Sequence, residues 1–218
     1  VFTESEKRKL LDRIHALKLD LPEPGSAYDD EPDLLTKSGV FYERLSDGST
    51  RLRVGGAYLS TATSWFNLVF TLAHEFGHAI DPCELRVAGH SMPAYDRLGA
   101  CFVSSGLVAL RRTRDECGED DQLSEAFADW LAVQVTSDAL KRFATEFDRQ
   151  QIVAAATNAV RDLCEQDETI FRLDLSNHPS PEIRIERIFG RHPGIRGVLG
   201  CTGLETYCGF DSRGRNLK

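Results

Sequence analysis

Two histidines four residues apart enclose a glutamate in His74-Glu75-Phe76-Gly77-His78. On a helix, residues i and i+4 lie one turn apart on the same face, so both imidazoles can reach one ion while Glu75 stands beside it. That geometry suits zinc, and a catalytic zinc takes three protein ligands and keeps a fourth position for water. Glu75 is then the candidate general base.

The third ligand is sought downstream. Gln122 to Trp130 reads as a second helix with Glu125 and Asp129 on one face. Glu125 completes the ligand set, and Asp129, one turn on, accepts the free N–H of a ligand histidine. Asp81, three residues after His78, is the matching acceptor for the other histidine. His90 and His192 are rival third ligands, but in the spacing H-E-x-x-H-x-x-G-x-x-H the last position here is Glu84 and the glycine position is Asp81. Both are therefore read as surface residues. A third segment, His178-Pro179-Ser180-Pro181-Glu182-Ile183-Arg184, uses two prolines to hold the chain extended before a helix starts. It brings an N–H donor and a cation toward the cleft, which a tetrahedral oxyanion needs.

These groups must be positioned by regular elements. Residues 5–18 set Leu10, Leu11, Ile14 and Leu17 on one face of an amphipathic helix, and a linker with three prolines over 21–33 ends it. Two β-prone runs, 40–45 and 50–59, flank Ser46-Asp47-Gly48-Ser49 and read as a hairpin, with Gly55-Gly56 marking a bulge or a close backbone approach. Thr63 or Ser64 caps a helix that runs to about Asp81, and further helices are expected over 94–115, 121–136, 139–165 and 182–190. A few strands followed by many helices predicts an α+β fold in one domain, residues 1–218, with an N-terminal helix and linker over 1–37 and a core over 38–218.

The 218 residues are 41% hydrophobic and 28% charged, an ordinary globular composition. Asp plus Glu is 34 against 26 Lys plus Arg, a net charge of −8, opposite to what phosphate neutralisation needs, so no nucleic-acid partner is expected. No apolar run is long enough to span a bilayer. Six cysteines without a C-x-x-C pair are read as three disulfides in an extracytoplasmic protein, and a chain beginning at Val1 fits removal of a leader.

Together the three segments resemble the gluzincin zinc peptidases, and among them the catalytic core of the neprilysin family. The resemblance runs through H-E-x-x-H-x-x-D (His74 to Asp81), E-x-x-x-D (Glu125 to Asp129) and H-x5-R (His178 to Arg184), with weaker likenesses at Tyr95-Asp96-Arg97 with Cys101 and at Val198-Leu199-Gly200-Cys201. It covers about residues 38–210. It implies a zincin-like fold and a zinc endopeptidase acting on peptides or proteins. One zinc is held by His74, His78 and Glu125, with Glu75, His178 and Arg184 as catalytic groups and Asp81 and Asp129 fixing the ligand histidines.

The family's Asn-Ala-aromatic-Tyr strand motif corresponds to Gly39-Val40-Phe41-Tyr42 here, so the substrate-anchoring Asn side chain is lost. Substrate is expected to lie antiparallel to an edge strand around 51–58, and Leu163 falls where the family builds its apolar pocket. The resemblance also pairs Cys101 with Cys208; Cys83 with Cys117 and Cys164 with Cys201 is one of the three pairings then open to the other four. The integral-membrane gluzincins that include the prenyl-protein proteases share the three segments and rank second. From outside the enzymes, a zinc-bearing binding module is the alternative.

Overall fold

The protein's structure is a computed structural model that describes residues 2–22, 28, 31–61, 64–87, 89, 92–108, 122–165, 178–203, 207–210 and 216–217. Thr3 opens helix α1 (Glu4–Ala16): its hydroxyl accepts from the Glu6 amide while the Glu6 carboxylate takes the Thr3 amide. Leu10, Ile14 and Leu17 pack on the main core, whereas Leu11, expected on that face, is exposed. Strand β1 (Lys18–Asp20) follows directly, then a 3-10 turn over Pro32–Thr36, and then β2 (Val40–Arg44) and β3 (Thr50–Val54).

The hairpin forms as expected. Leu45 N–H donates to the Ser49 carbonyl at 2.8 Å, and Asp47 accepts the Ser49 amide, closing the turn between antiparallel β2 and β3. β1 pairs parallel with the other side of β3, so the sheet order is β1-β3-β2. This corrects the edge-strand expectation for 51–58. β3 is the central strand, the chain turns helical from Gly56, and among the described residues the edges of the sheet are β1 and β2, of which β2 runs beside α3. Gly55-Gly56 is the close approach: a Cβ on Gly55 would collide with the Lys37 carbonyl, and Gly55 N–H donates to the Gly39 carbonyl at 2.8 Å.

The helical body comprises α2 (Gly56–Thr61), α3 (Trp65–His78), α4 (Pro82–Val87), α5 (Pro93–Ser104), α6 (Gln122–Phe143) and α7 (Arg149–Ala159). After them come a 3-10 turn (Arg161–Glu165), a π-helix (Ile183–Phe189) and α8 (Pro193–Leu199), before a short ribbon of β4 (Gly209–Phe210) and β5 (Asn216–Leu217). The result is a mixed α+β fold, mainly helical, with a small three-stranded sheet. α6 runs through the break expected near 137. Val133, Thr136, Ser137 and Leu140 form one buried stripe, and the stop comes only where Asp148 caps α7 by accepting the Gln151 amide at 2.9 Å. The helix expected over 94–115 ends at Ser104, and 109–121 lie outside the described residues.

Ser64 is the cap of α3, accepting the Asn67 amide at 3.1 Å. The helix buries Phe66, Phe70, Ala73 and Gly77 on one face, while Leu68 and Leu72 pack against Val40, Val54 and Tyr58 below the sheet. Its most extensive neighbour is α6, and Gly77 sets the distance between them. A Cβ there would stand 2.7 Å from Ala128 Cα. Gly77→Ala is expected to force α3 and α6 apart at a cost of about 1–3 kcal/mol. Thermal unfolding and zinc titration of the same variant should both register the change, because the two helices carry the three candidate ligands His74, His78 and Glu125.

Arg13 of α1 donates Nε–H to the Ala79 carbonyl at 2.8 Å and, with Arg44 of β2, pairs with Glu84 at the start of α4, fastening the N-terminal helix beside the end of α3. Cys101 and Cys208 form a disulfide, Cα atoms 5.7 Å apart. Cys83 is also disulfide-bonded, and its expected partner Cys117 lies outside the described residues, as does His90. The expected Cys164–Cys201 bridge is not formed, and both thiols are free and exposed. Gly200 lies against the Arg149 side chain at the start of α7, whereas Cys164 follows the other end of that 11-residue helix. Such a helix is about 16 Å long, against about 5.5–6 Å between the Cα atoms of a disulfide. Among the described residues no helix is long and apolar enough to cross a membrane.

His192, read as a surface residue, is buried. Its Nδ1 accepts the Gly194 and Ile195 amides at 3.1 and 3.3 Å and so caps α8. Burial, reinforced by Lys141, pushes its pKa down from 6.5 to about 4. The folded state therefore resists a proton that the unfolded chain takes up, and stability falls as pH drops from about 6.5 to about 4, by up to about 3 kcal/mol. Urea unfolding at pH 7 and pH 4.5 should show this loss in the wild type and a flatter profile in His192→Asn, which keeps a capping acceptor.

Candidate metal centre

α3 and α6 present the expected side chains to one point. His74 Nε2 and His78 Nε2 are 3.3 Å apart and lie 3.2 and 3.5 Å from Glu125 Oε2. A four-coordinate transition-metal ion with bonds of about 2.0–2.2 Å holds neighbouring ligand atoms about 3.3–3.5 Å apart. His74, His78 and Glu125 thus form a cluster that can hold a metal ion. Glu125 Oε2 itself is buried and receives no hydrogen bond of acceptable geometry, although three imidazoles surround it. A buried carboxylate oxygen with no donor aimed at it is the behaviour of a ligand atom. Burial alone would raise its pKa, but the imidazoles of His178, His74 and His78 outweigh burial and hold the carboxyl far below the usual range.

The outer nitrogens are fixed by a second set of groups. His74 Nδ1 is 2.9 Å from Asp129 Oδ1, and Asp129 in turn accepts from Arg184 Nε at 2.7 Å and Nη2 at 2.8 Å. An acceptor at Nδ1 places the proton there and leaves the Nε2 lone pair for an ion. Burial opposes charge on Asp129, but Arg184 and His74 outweigh it and keep its carboxyl well below the usual carboxylate range. On the other side, His78 Nδ1 is 3.3 Å from Ser124 Oγ and 3.5 Å from Asp81 Oδ2, while Ser124 donates to Asp81 at 2.5 Å. Asp81 therefore reaches His78 chiefly through Ser124, a residue the sequence reading passed over. Its only signal was a hydroxyl immediately before Glu125. Asp81 also caps α4 by accepting the Glu84 amide at 2.7 Å.

Glu75 is not among the clustered ligand atoms. Its Oε2 accepts the Tyr42 backbone N–H at 2.8 Å, which pins the carboxylate between α3 and the edge of β2. His178 lies half-buried across the site, its ring stacked on His74 at 6.1 Å and its Nε2 2.9 Å from Glu125 Oε2. Arg184, expected to face an oxyanion, commits two of its nitrogens to Asp129 instead and is 4% exposed. It sits on the π-helix, a rare winding that is frequent at functional sites.

A cavity of about 200 Å³ adjoins the cluster, lined in part by Gly39, Val40, Glu75, Leu163, His178 and Arg184. Phe41 is not part of that lining. In an antiparallel pair alternate residues face the partner strand. The Gly55-to-Gly39 bond puts Gly39 and Phe41 on that side and turns the backbone groups of Val40 and Tyr42 outward. No family model, no curated protein and no solved structure matches this chain.

Proposed function

We propose that this protein is a zinc-dependent endopeptidase with a zincin-like catalytic core. The observation that carries the reading is the spacing of His74 Nε2, His78 Nε2 and Glu125 Oε2, with Glu75 held beside them rather than among them. Two imidazoles and one carboxylate are a donor set suited to catalytic zinc, whereas structural zinc sites are mostly built on cysteine. Bound zinc supplies a polarised scissile carbonyl and a more acidic water.

The chain's own groups do the rest. Glu75 takes the proton of the attacking water and passes it to the leaving amine, and the Tyr42 amide holds the carboxylate in place for both transfers. His178 donates to the developing oxyanion from the cavity side. Asp129, clamped by Arg184, orients His74, while Ser124 and Asp81 orient His78. An extended substrate adds to the edge of β2 through the outward N–H and C=O of Val40 and the C=O of Tyr42, whose N–H is given to Glu75. The Cys101–Cys208 disulfide supports an extracytoplasmic location.

The test is digestion of a mixed peptide library by zinc-loaded and metal-stripped protein, mapped by mass spectrometry. Cuts that vanish on stripping and return with zinc are expected. A chain that binds one zinc and cuts nothing is a zinc-bearing binding module instead.

A further inference from the structure

The cavity beside the cluster contains one carboxylate that the chemistry above leaves unused. Asp162, in the 3-10 turn after α7, lines it together with Tyr58, Asn67, Phe70 and Leu163. Asn67 is 1% exposed and donates Nδ2–H to Asp162 Oδ2 at 3.0 Å, while its Oδ1 accepts the Tyr58 hydroxyl at 3.3 Å. A buried amide thus aims the carboxylate. Among the described residues no lysine or arginine pairs with Asp162. Arg184, the guanidinium of the same cavity, is taken by Asp129, and Glu75 adds a second carboxylate to the walls.

Val40, Phe70, Ala159 and Leu163, all buried, supply the apolar part of the lining, beside the polar Ser38, Thr71, His74 and His178. Buried apolar side chains beside an aimed carboxylate match a long methylene stem with a charged head. At about 200 Å³ the space is sized for one side chain, below the roughly 300–1,000 Å³ of drug-sized pockets. It opens beside His74, Glu75 and His178, so its occupant belongs to a residue next to the reacting bond.

We propose that this cavity receives the lysine or arginine side chain of a substrate residue flanking the scissile bond, and that Asp162 selects it. This rests on the peptidase reading. The cationic head forms a charge-assisted pair with the Asp162 oxygen that Asn67 leaves open, and the chain's net charge of −8 favours the approach of basic peptides.

Two measurements on the zinc-loaded protein test it. In the first, kcat/KM is compared for peptides that differ only in arginine or norleucine beside the cut, using wild type and Asp162→Asn. Asparagine keeps an acceptor for Asn67 and removes the charge. Wild type is expected to prefer arginine at least tenfold, and the variant to lose that preference. In the second, binding of n-butylguanidinium is measured by calorimetry, with n-butanol as the neutral control. The cation is expected to bind wild type saturably and at least tenfold more weakly to Asp162→Asn.

Cuts without preference for lysine or arginine, or guanidinium binding that is absent or indifferent to Asp162→Asn, overturn the inference and leave the peptidase reading standing. Guanidinium binding that depends on Asp162 while zinc-loaded protein cuts no peptide supports the cation pocket and overturns the peptidase reading instead.

Discussion

Glu75→Gln will keep its zinc and lose its catalysis. A positioned general base contributes roughly 10²–10⁴-fold, so kcat/KM on any peptide the wild type cuts should fall by that factor. Zinc content should stay at the wild-type value, because the cluster that can hold an ion is His74, His78 and Glu125, while Glu75 bonds the Tyr42 amide. The amide of glutamine is isosteric and can still accept that N–H through its oxygen. Peptide kinetics paired with metal analysis of the same preparation check both halves. A variant that loses zinc would make Glu75 a ligand, and one that keeps full activity would remove it from the chemistry.

Asp129→Ala will be among the most destabilising single changes in the chain. It strands Arg184, which is 4% exposed, without its bidentate partner and takes the acceptor from His74 Nδ1. Removing one member of a buried ion pair costs about 3–5 kcal/mol. For a chain of this length that is a fall in Tm of about 6–20 °C. The double change Asp129→Ala with Arg184→Met should recover much of the stability, since no charge is then left buried alone. Zinc affinity should remain about 10–100-fold down in both, because the orienting acceptor is gone in both. Thermal unfolding and zinc competition separate the two effects. Recovery of zinc affinity in the double variant would mean that Asp129 acts only as a counter-ion.

The ligand set was legible because it is local in sequence. His74 and His78 sit one turn apart on one helix, Glu125 and Asp129 one turn apart on another, and the helical period alone puts each pair on a face. The hairpin was legible for the same reason, through Asp47-Gly48 between two β-prone runs. What stayed hidden depends on contacts distant in sequence. β1 joins the sheet by pairing with β3 about 33 positions downstream (Lys18 with Arg51), which no local pattern announces, and that pairing makes β3 the central strand and leaves β1 and β2 as the edges. Gly77 reads as the variable position of a motif, yet it is the point where α3 touches Ala128. His192 looks like any histidine before a proline until its ring is seen capping α8. Ser124 and Asp162 carry no motif at all, and only their neighbours give them roles.

The most direct test of the account is zinc X-ray absorption on protein equilibrated with zinc and then desalted, together with its metal stoichiometry. One zinc per chain is expected, in a shell of nitrogen and oxygen at about 2.0–2.2 Å with two imidazoles and no sulfur. The signal should disappear in His78→Phe. Sulfur at about 2.3 Å, or a chain that retains no zinc, would contradict the centre built by His74, His78 and Glu125.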